Sequence, residues 1–486
     1  MPGQRVAVVG GGNAALCAAI SARENGADVD LFERAPFDLR GGNSRFTAGA
    51  IRTTYNGVEQ IRELMPDLTD DEIENTEFGE YSEADFFDDL GRVTQYRTDP
   101  DLAELLVKQS FPTLRWMRQH GVRFLPLYGR QSFEIDGKRR FWGGLTVEAW
   151  GGGQGLIDQL TQIATTLGVE IHYESRITHI DRNISGFELS INGKTSRSFD
   201  SVVLACGGFE SSAEMRARYL GPNWDLAKVR GTKFNTGDGI RMAQELGAAT
   251  TGHWSGCHAV AWDLNAPMFG DLAVGDGFQK HSYPFGIVVN ANGDRFLDEG
   301  ADFRNYTYAK YGSEILKQPN HLAWQVFDQK VTHLLRDEYR IREVTKVSAG
   351  TLEELGERMN GVDARAFVRS VQAYNAAVEE SMPFDPTVKD GRCTNGLSVN
   401  KSNWANRLDS PPFEAYGVTC GITFTFGGLE VDAETSVLDE QGDQIEGLYA
   451  AGEMVGGLYY HNYPGGSGLM AGAVFGRKAG MNATSV

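Results

Sequence analysis

Arg5-Val6-Ala7-Val8-Val9-Gly10-Gly11-Gly12-Asn13-Ala14-Ala15-Leu16-Cys17-Ala18-Ala19-Ile20 stands almost at the start of the chain, and Asp28-Val29-Asp30-Leu31-Phe32-Glu33 follows Asn25-Gly26. After Arg5, residues 6–9 are an unbroken apolar run, as expected of a strand buried on both faces. The run enters G-x-G-x-x-A and then a small-residue helix, and a second strand ends in an acid. The order strand, turn, helix, strand, acid is the fingerprint of a dinucleotide site. Gly10 permits the tight turn, Gly12 lets a pyrophosphate approach the backbone, and Ala15 keeps helix and sheet close. The helix start offers N–H groups and a positive dipole end to the phosphates. Glu33 is placed to accept hydrogen bonds from a ribose.

At 486 residues the chain has room for two or three domains and a large core. Its formal net charge of −19 argues against nucleic acid as a partner and against charge-driven binding to an anionic membrane. Cys17, Cys206, Cys257, Cys393 and Cys420 are scattered and form no C-x-x-C, so zinc, cluster and dithiol motifs are not indicated and no metal is expected. The first strand begins at Arg5, and no apolar run approaches membrane-spanning length. The expectation is a cytoplasmic protein without membrane insertion.

Further along, Gly41-Gly42-Asn43-Ser44 pairs glycines with small polar residues, as suits close approach to a flat ligand. Residues 57–120 read as helical and polar. Ser201-Val202-Val203-Leu204-Ala205 is a buried strand that ends in Cys206-Gly207-Gly208, at the strand end where α/β sheets place ligands. Thr236-Gly237-Asp238-Gly239-Ile240 reads as a phosphate-type turn opening an amphipathic helix. Beyond Gly247 aromatics, histidines and loops take over, with a capping box expected at Thr351 and Glu354 and a helix over 364–380. Sheet-like segments return at 427–432 and 447–453, followed by Tyr463-Pro464-Gly465-Gly466-Ser467-Gly468-Leu469. The expectation is an α/β, Rossmann-like nucleotide domain of the glutathione-reductase type (residues 1–252 and 425–486) with an inserted α+β cap over 253–424.

The three glycine clusters are hundreds of residues apart and make sense together if one long ligand spans the sheet. These motifs, with Gly286-Ile287-Val288-Val289-Asn290 and the stretch 293–299, resemble the flavoprotein family of fumarate reductases, succinate dehydrogenases and 3-ketosteroid dehydrogenases over essentially the whole chain. Residues 41–47, Arg130-Gln131-Ser132-Phe133, Phe141-Trp142-Gly143-Gly144 and 461–468 look most like the tricarballylate dehydrogenase branch. The resemblance implies extended FAD, held by Gly10, Gly12, Asn13, Ala14, Ala15, Glu33, Arg34, Gly41, Gly42, Asn43, Ser44, Ala205, Gly207, Gly208, Asp238, Gly452, Glu453, Ser467, Gly468 and Leu469. The FAD is expected to be non-covalent, because the position that carries the flavin-linking histidine in succinate dehydrogenases is Phe46 here.

The reaction implied removes two hydrogens from adjacent carbons, one as hydride to flavin N5 and one as a proton to the protein. Arg304, five residues after Glu299, falls near the arginine that fumarate reductases use for proton delivery; Tyr306, Tyr308 and Tyr128 are alternatives. His258 falls where the family has a substrate-carboxylate histidine. Two positions depart from the fumarate pattern: a histidine appears as Phe424 and an arginine as Tyr463. The lead expectation is a small-molecule carboxylic acid, tricarballylate-like, drawn in by Arg304, His258, His461 and Arg45 or Arg130. The alternative is a ketone of the 3-ketosteroid or cyclic type, polarised by Tyr463. Electrons must leave to a separate acceptor: a partner protein, a quinone or oxygen.

Overall fold

The computed structural model describes residues 3–184 and 186–485. Its first sheet runs in the order Ser436–Leu438, Gln444–Ala450, Ser201–Leu204, Arg5–Val9, Asp28–Phe32, Glu170–His172. All these neighbours are parallel except the antiparallel edge strand Ser436–Leu438. Val6, Ala7, Val8, Val202, Val203 and Leu204 are wholly buried, which is why these segments read as apolar runs without alternation. An antiparallel meander, Ile177–Asn183, Gly186–Ile191 and Thr195–Phe199, connects Glu170–His172 back to Ser201–Leu204. This is the expected α/β nucleotide-binding layer.

Helix Asn13–Glu24 packs on the C-terminal helix Ser467–Asn482 with almost no space between them. A Cβ at Gly476 would stand 2.3 Å from the Ala14 carbonyl oxygen, and one at Gly480 2.1 Å from that of Ala18. Backbone meets backbone there, and only glycine allows it.

The second sheet is built on the long strand Phe413–Leu429, which pairs with Thr250–Asp263, Ala323–Phe327, Lys346–Ala349 and Lys228–Val229. Chain that the sequence assigns to the nucleotide domain therefore enters this sheet at Lys228, before residue 253, because Val229 continues an apolar face that Ile422 completes. Helices Leu352–Arg358 and Ala364–Ala377 cover one part of it over Ile287, Val289, Trp324 and Phe367. Half of the expected capping box forms, with the Thr351 hydroxyl accepting from the Glu354 N–H. Residues 57–120 are helical over Val58–Leu64, Asp70–Glu74, Glu83–Val93 and Pro100–Gln119. Among the described residues no helix is long and apolar enough to cross a membrane.

Candidate active site

A single continuous cleft is lined at one end by residues of the glycine turns and at the other by Arg130, Arg230, Asp276, His281, Arg304, Tyr308, Phe424 and Tyr463. The glycine end is assembled from three distant parts of the chain. Gly10, at φ +120°, lies where a Cβ would come within 2.3 Å of the Ala205 carbonyl oxygen, so the first and third turns abut. Gly12 faces the second glycine turn, and an added Cβ would be in ordinary contact with Gly41 O and Ser44 Oγ, both at 3.5 Å. The Asn13 N–H donates to Ser44 Oγ (3.2 Å), and Asn13 Nδ2 donates to the Leu469 carbonyl (2.7 Å). A groove with backbone for walls and N–H groups at a helix start fits a pyrophosphate.

Glu33 is buried at the tip of its strand, where burial raises its carboxyl pKa; Oε1 accepts the Ala35 N–H at 2.8 Å. Its position in the cleft fits a ribose diol, and the donor and acceptor set as a whole fits FAD. Arg34 and Arg176 both grip Asp238, at 3.1 and 2.8 Å. The turn at 236–240 therefore presents an ion-paired Asp238 at the cleft edge, a latch between segments. Ala15, Gly41, Gly208 and Ser467 do not line the cleft. They stand behind it: Gly41 against Ile157, Gly208 under Glu453, and the Ser467 hydroxyl on the Pro464 carbonyl at 2.7 Å.

Glu453 lines the cleft, and its Oε1 accepts the Thr425 N–H at 2.8 Å. Beside it lies Glu210, a residue the sequence did not single out. Glu210 Oε1 accepts from Asn43 Nδ2 (2.6 Å) and Asn235 Nδ2 (2.7 Å), while no donor reaches its Oε2. Glu210 is fully buried and Glu453 partly so, the two carboxyl groups face each other, and burial raises the pKa of each. Two buried carboxyls in contact cannot both ionise, so one proton joins the pair.

The other end of the cleft is cationic. Asp276 bridges Arg130 (2.8 Å) and Arg230 (2.9 Å to Nε) and also accepts from Gln279. Arg304 has no carboxylate within ion-pair distance among the described residues. Its NH2 donates to the Arg130 carbonyl (2.9 Å), its NH1 lies 3.5 Å from His281 Nδ1, and its buried Nε has no partner. Burial holds its guanidinium below the usual arginine range, against the pull of Glu338. Arg130, Arg230 and Arg304 thus line this end with Asp276 as the carboxylate among the described lining residues, while Glu338 and Glu148 act on Arg130 from farther off. Arg230, Asp276 and Gln279 escaped sequence reasoning; an arginine beside a strand of two residues and an acid in a glycine-rich loop carry no local signature.

Five expected residues stand elsewhere. The Tyr306 hydroxyl is spent on Asp89 (2.5 Å) and the Gly143 carbonyl (2.9 Å) near the buried Arg52, outside the cleft. Tyr306 ends a 3-10 turn and Tyr308 begins the next helix, so two residues of spacing send their rings to opposite sides. His258 is wholly buried behind Phe424, on which it stacks at 5.2 Å, and does not line the cleft. A bulge between His258 and Ala259 shifts its strand's register, and burial, reinforced by Arg230, drives its pKa well below the usual value. A neutral ring out of reach cannot hold a substrate carboxylate. His461 is exposed against His253, Arg45 reaches the Asp38 carbonyl, and Tyr128 contacts Thr76; none lines the cleft. Tyr308 and Tyr463 do line it, and their hydroxyls are hydrogen-bonded to each other.

The chain belongs to the FAD binding domain family, which it matches over residues 5–469. It is an FAD-dependent oxidoreductase by that membership and by its relatives. It is 29% identical to a probable fumarate reductase of Shewanella frigidimarina over 99% of this chain and 74% of that protein. It is 27% identical to a 3-oxosteroid 1-dehydrogenase of Mycobacterium tuberculosis over 76% of this chain and 68% of that one. Among solved structures it superimposes on the open conformation of a flavocytochrome c3 fumarate reductase with a TM-score of 0.71 at 26% identity, covering 100% of this chain and 79% of the other.

Proposed function

We propose that this protein is an FAD-dependent dehydrogenase that forms a carbon–carbon double bond next to a carboxylate. The observation that carries this reading is Arg304, a buried guanidinium on the cleft wall without a carboxylate partner, backed by Arg130 and Arg230 sharing one aspartate. A substrate carboxylate completes that set, since a buried cation without a counter-ion is costly. FAD, when bound, supplies the hydride acceptor. The chain's own part is to fix the acid at Arg304, hold the reacting carbons along the aromatic wall, and exclude water. Arg304, already protonated, steadies the developing negative charge, and the neutral ring of His281, whose Nδ1 lies 3.5 Å from Arg304 NH1 and whose Nε2 has no partner, can take up the departing proton. A separate acceptor (a partner protein, a quinone or oxygen) completes the cycle. Tricarballylate, to which the loop resemblance points, is the first acid to try. Anaerobic bleaching of the yellow protein by a saturated acid tests the reading, and bleaching by uncharged ketones alone would overturn it.

A second reading, a ketone dehydrogenase, is favoured by one specific observation: the Tyr308–Tyr463 hydroxyl pair on the cleft wall, which can polarise a carbonyl oxygen.

A further inference from the structure

The two ends of the substrate part of the cleft differ in chemistry, and the residues between them lie in order. At one end Arg304 keeps open donors, and its NH1 is 3.5 Å from His281. The His281 ring then packs edge-on against Tyr308 at 4.7 Å, and the Tyr308 hydroxyl meets that of Tyr463. Tyr463 packs edge-on against Phe424 at 5.2 Å and Tyr459 at 5.5 Å, with the neutral His258 behind.

Among the described residues that line the aromatic end, no cation lacks a carboxylate partner. Arg230, whose charge is felt by both tyrosines, is already paired: Nε and NH2 donate to Asp276 Oδ1, and NH1 donates to Thr423 Oγ1 at 3.2 Å. A second substrate carboxylate would sit there among aromatic rings, beside a guanidinium that already has Asp276 as its counter-ion, and would bear much of its desolvation cost unpaired.

The tyrosine pair is suited to something else. When one hydroxyl donates to the other, the second keeps its own proton, and neither makes another hydrogen bond among the described residues. That leaves one neutral donor, which matches one uncharged acceptor oxygen.

We propose that the substrate is an acid with a carboxylate at one end and an uncharged carbonyl oxygen at the other, with the carbon–carbon bond that is oxidised between them. The arginine end takes the carboxylate and the Tyr308–Tyr463 pair takes the carbonyl. This rests on the carboxylate reading above and sharpens it, because it draws the two competing readings into one molecule. The chemistry is coherent: a carbonyl on one side and a carboxylate on the other both acidify the C–H bonds between them. One hydrogen leaves as a proton and its neighbour leaves with its electron pair to the flavin, giving a 4-oxo-2-enoate from a 4-oxo acid.

The test compares probes of matched length on the purified FAD-loaded protein under anaerobic conditions: 4-oxopentanoate, succinate, tricarballylate and cyclohexanone. The expected result is bleaching by 4-oxopentanoate at least tenfold faster than by succinate or tricarballylate. Tyr463→Phe should slow 4-oxopentanoate at least tenfold while changing succinate less than threefold. Faster bleaching by succinate or tricarballylate overturns the uncharged end and leaves the carboxylate reading standing. Bleaching by cyclohexanone alone overturns both. Failure of 4-oxopentanoate to bleach the flavin while another acid succeeds, or to bleach it at all, also overturns the proposal. Binding is read separately by titrating each probe against the flavin absorbance, so a Tyr463→Phe protein that folds poorly shows itself by lost yellow colour.

Discussion

The carboxyl groups of Glu210 and Glu453 lie against each other, where burial raises the pKa of both; Glu210 accepts from the Asn43 and Asn235 amides and Glu453 from the Thr425 N–H and hydroxyl. Through Asn43, which also binds the Thr423 carbonyl and the Thr232 N–H, Glu210 ties the second glycine turn to the strand that carries Phe424.

Glu210→Gln should flatten the pH dependence of stability. The folded-state pKa of Glu210 is raised above its unfolded value, so its contribution is fully present below about pH 4.5 and is lost as pH rises through the folded value. Glutamine does not titrate. The thermal midpoint of the variant relative to the parent should therefore rise steadily from pH 5 to pH 8. A constant deficit at every pH would mean a packing role only.

Arg304→Gln should leave the flavin spectrum intact and lower turnover roughly a hundredfold or more, about 2.7 kcal/mol of barrier, as expected for lost proton transfer and charge stabilisation. Steady-state kinetics beside a flavin count check this. Near-native turnover would shift attention to Tyr308.

FAD should come free on acid precipitation. Position 46 is a buried phenyl ring packed where a Gly270 Cβ would be, 2.5 Å from it, and it has no atom able to bond the flavin. Yellow colour in the supernatant is the expected outcome, and colour retained in the pellet contradicts it.

Gly476→Ala should lower stability by about 1–3 kcal/mol, the usual cost of forcing a methyl into a packed contact, and should weaken flavin retention. The reason is that Ala14, which the new methyl would push, sits at the phosphate turn. Denaturant titration and the ratio of flavin to protein absorbance report the two effects.

The nucleotide half was legible because its signals are local: an apolar strand, a glycine turn, a small-residue helix and an acid in fixed order. Glu33, Asn13 and Glu453 follow from that order. The substrate end was legible only where a single residue carried the sign, as with Arg304, Tyr308 and Tyr463. Arg230 and Asp276 meet across 46 residues of chain in an arrangement that only the second sheet creates. His258 reads as a ligand until the bulge in its strand is seen, and Tyr306 reads like Tyr308 until the turn between them separates their rings. Glu210 follows Phe209 in an unremarkable stretch; its importance comes from a buried neighbour far along the chain.

Helices Asn13–Glu24 and Ser467–Asn482 touch backbone to backbone although nearly the whole chain lies between them. A ribosome makes the phosphate turn first and its supporting helix last, on the order of a minute apart at ~5–20 residues per second. Leu469, which receives the Asn13 side chain, also arrives late. Flavin capture thus waits for a helix made long after the turn it supports, and every nascent copy passes through a colourless interval in which its first strand and helix wait for that partner.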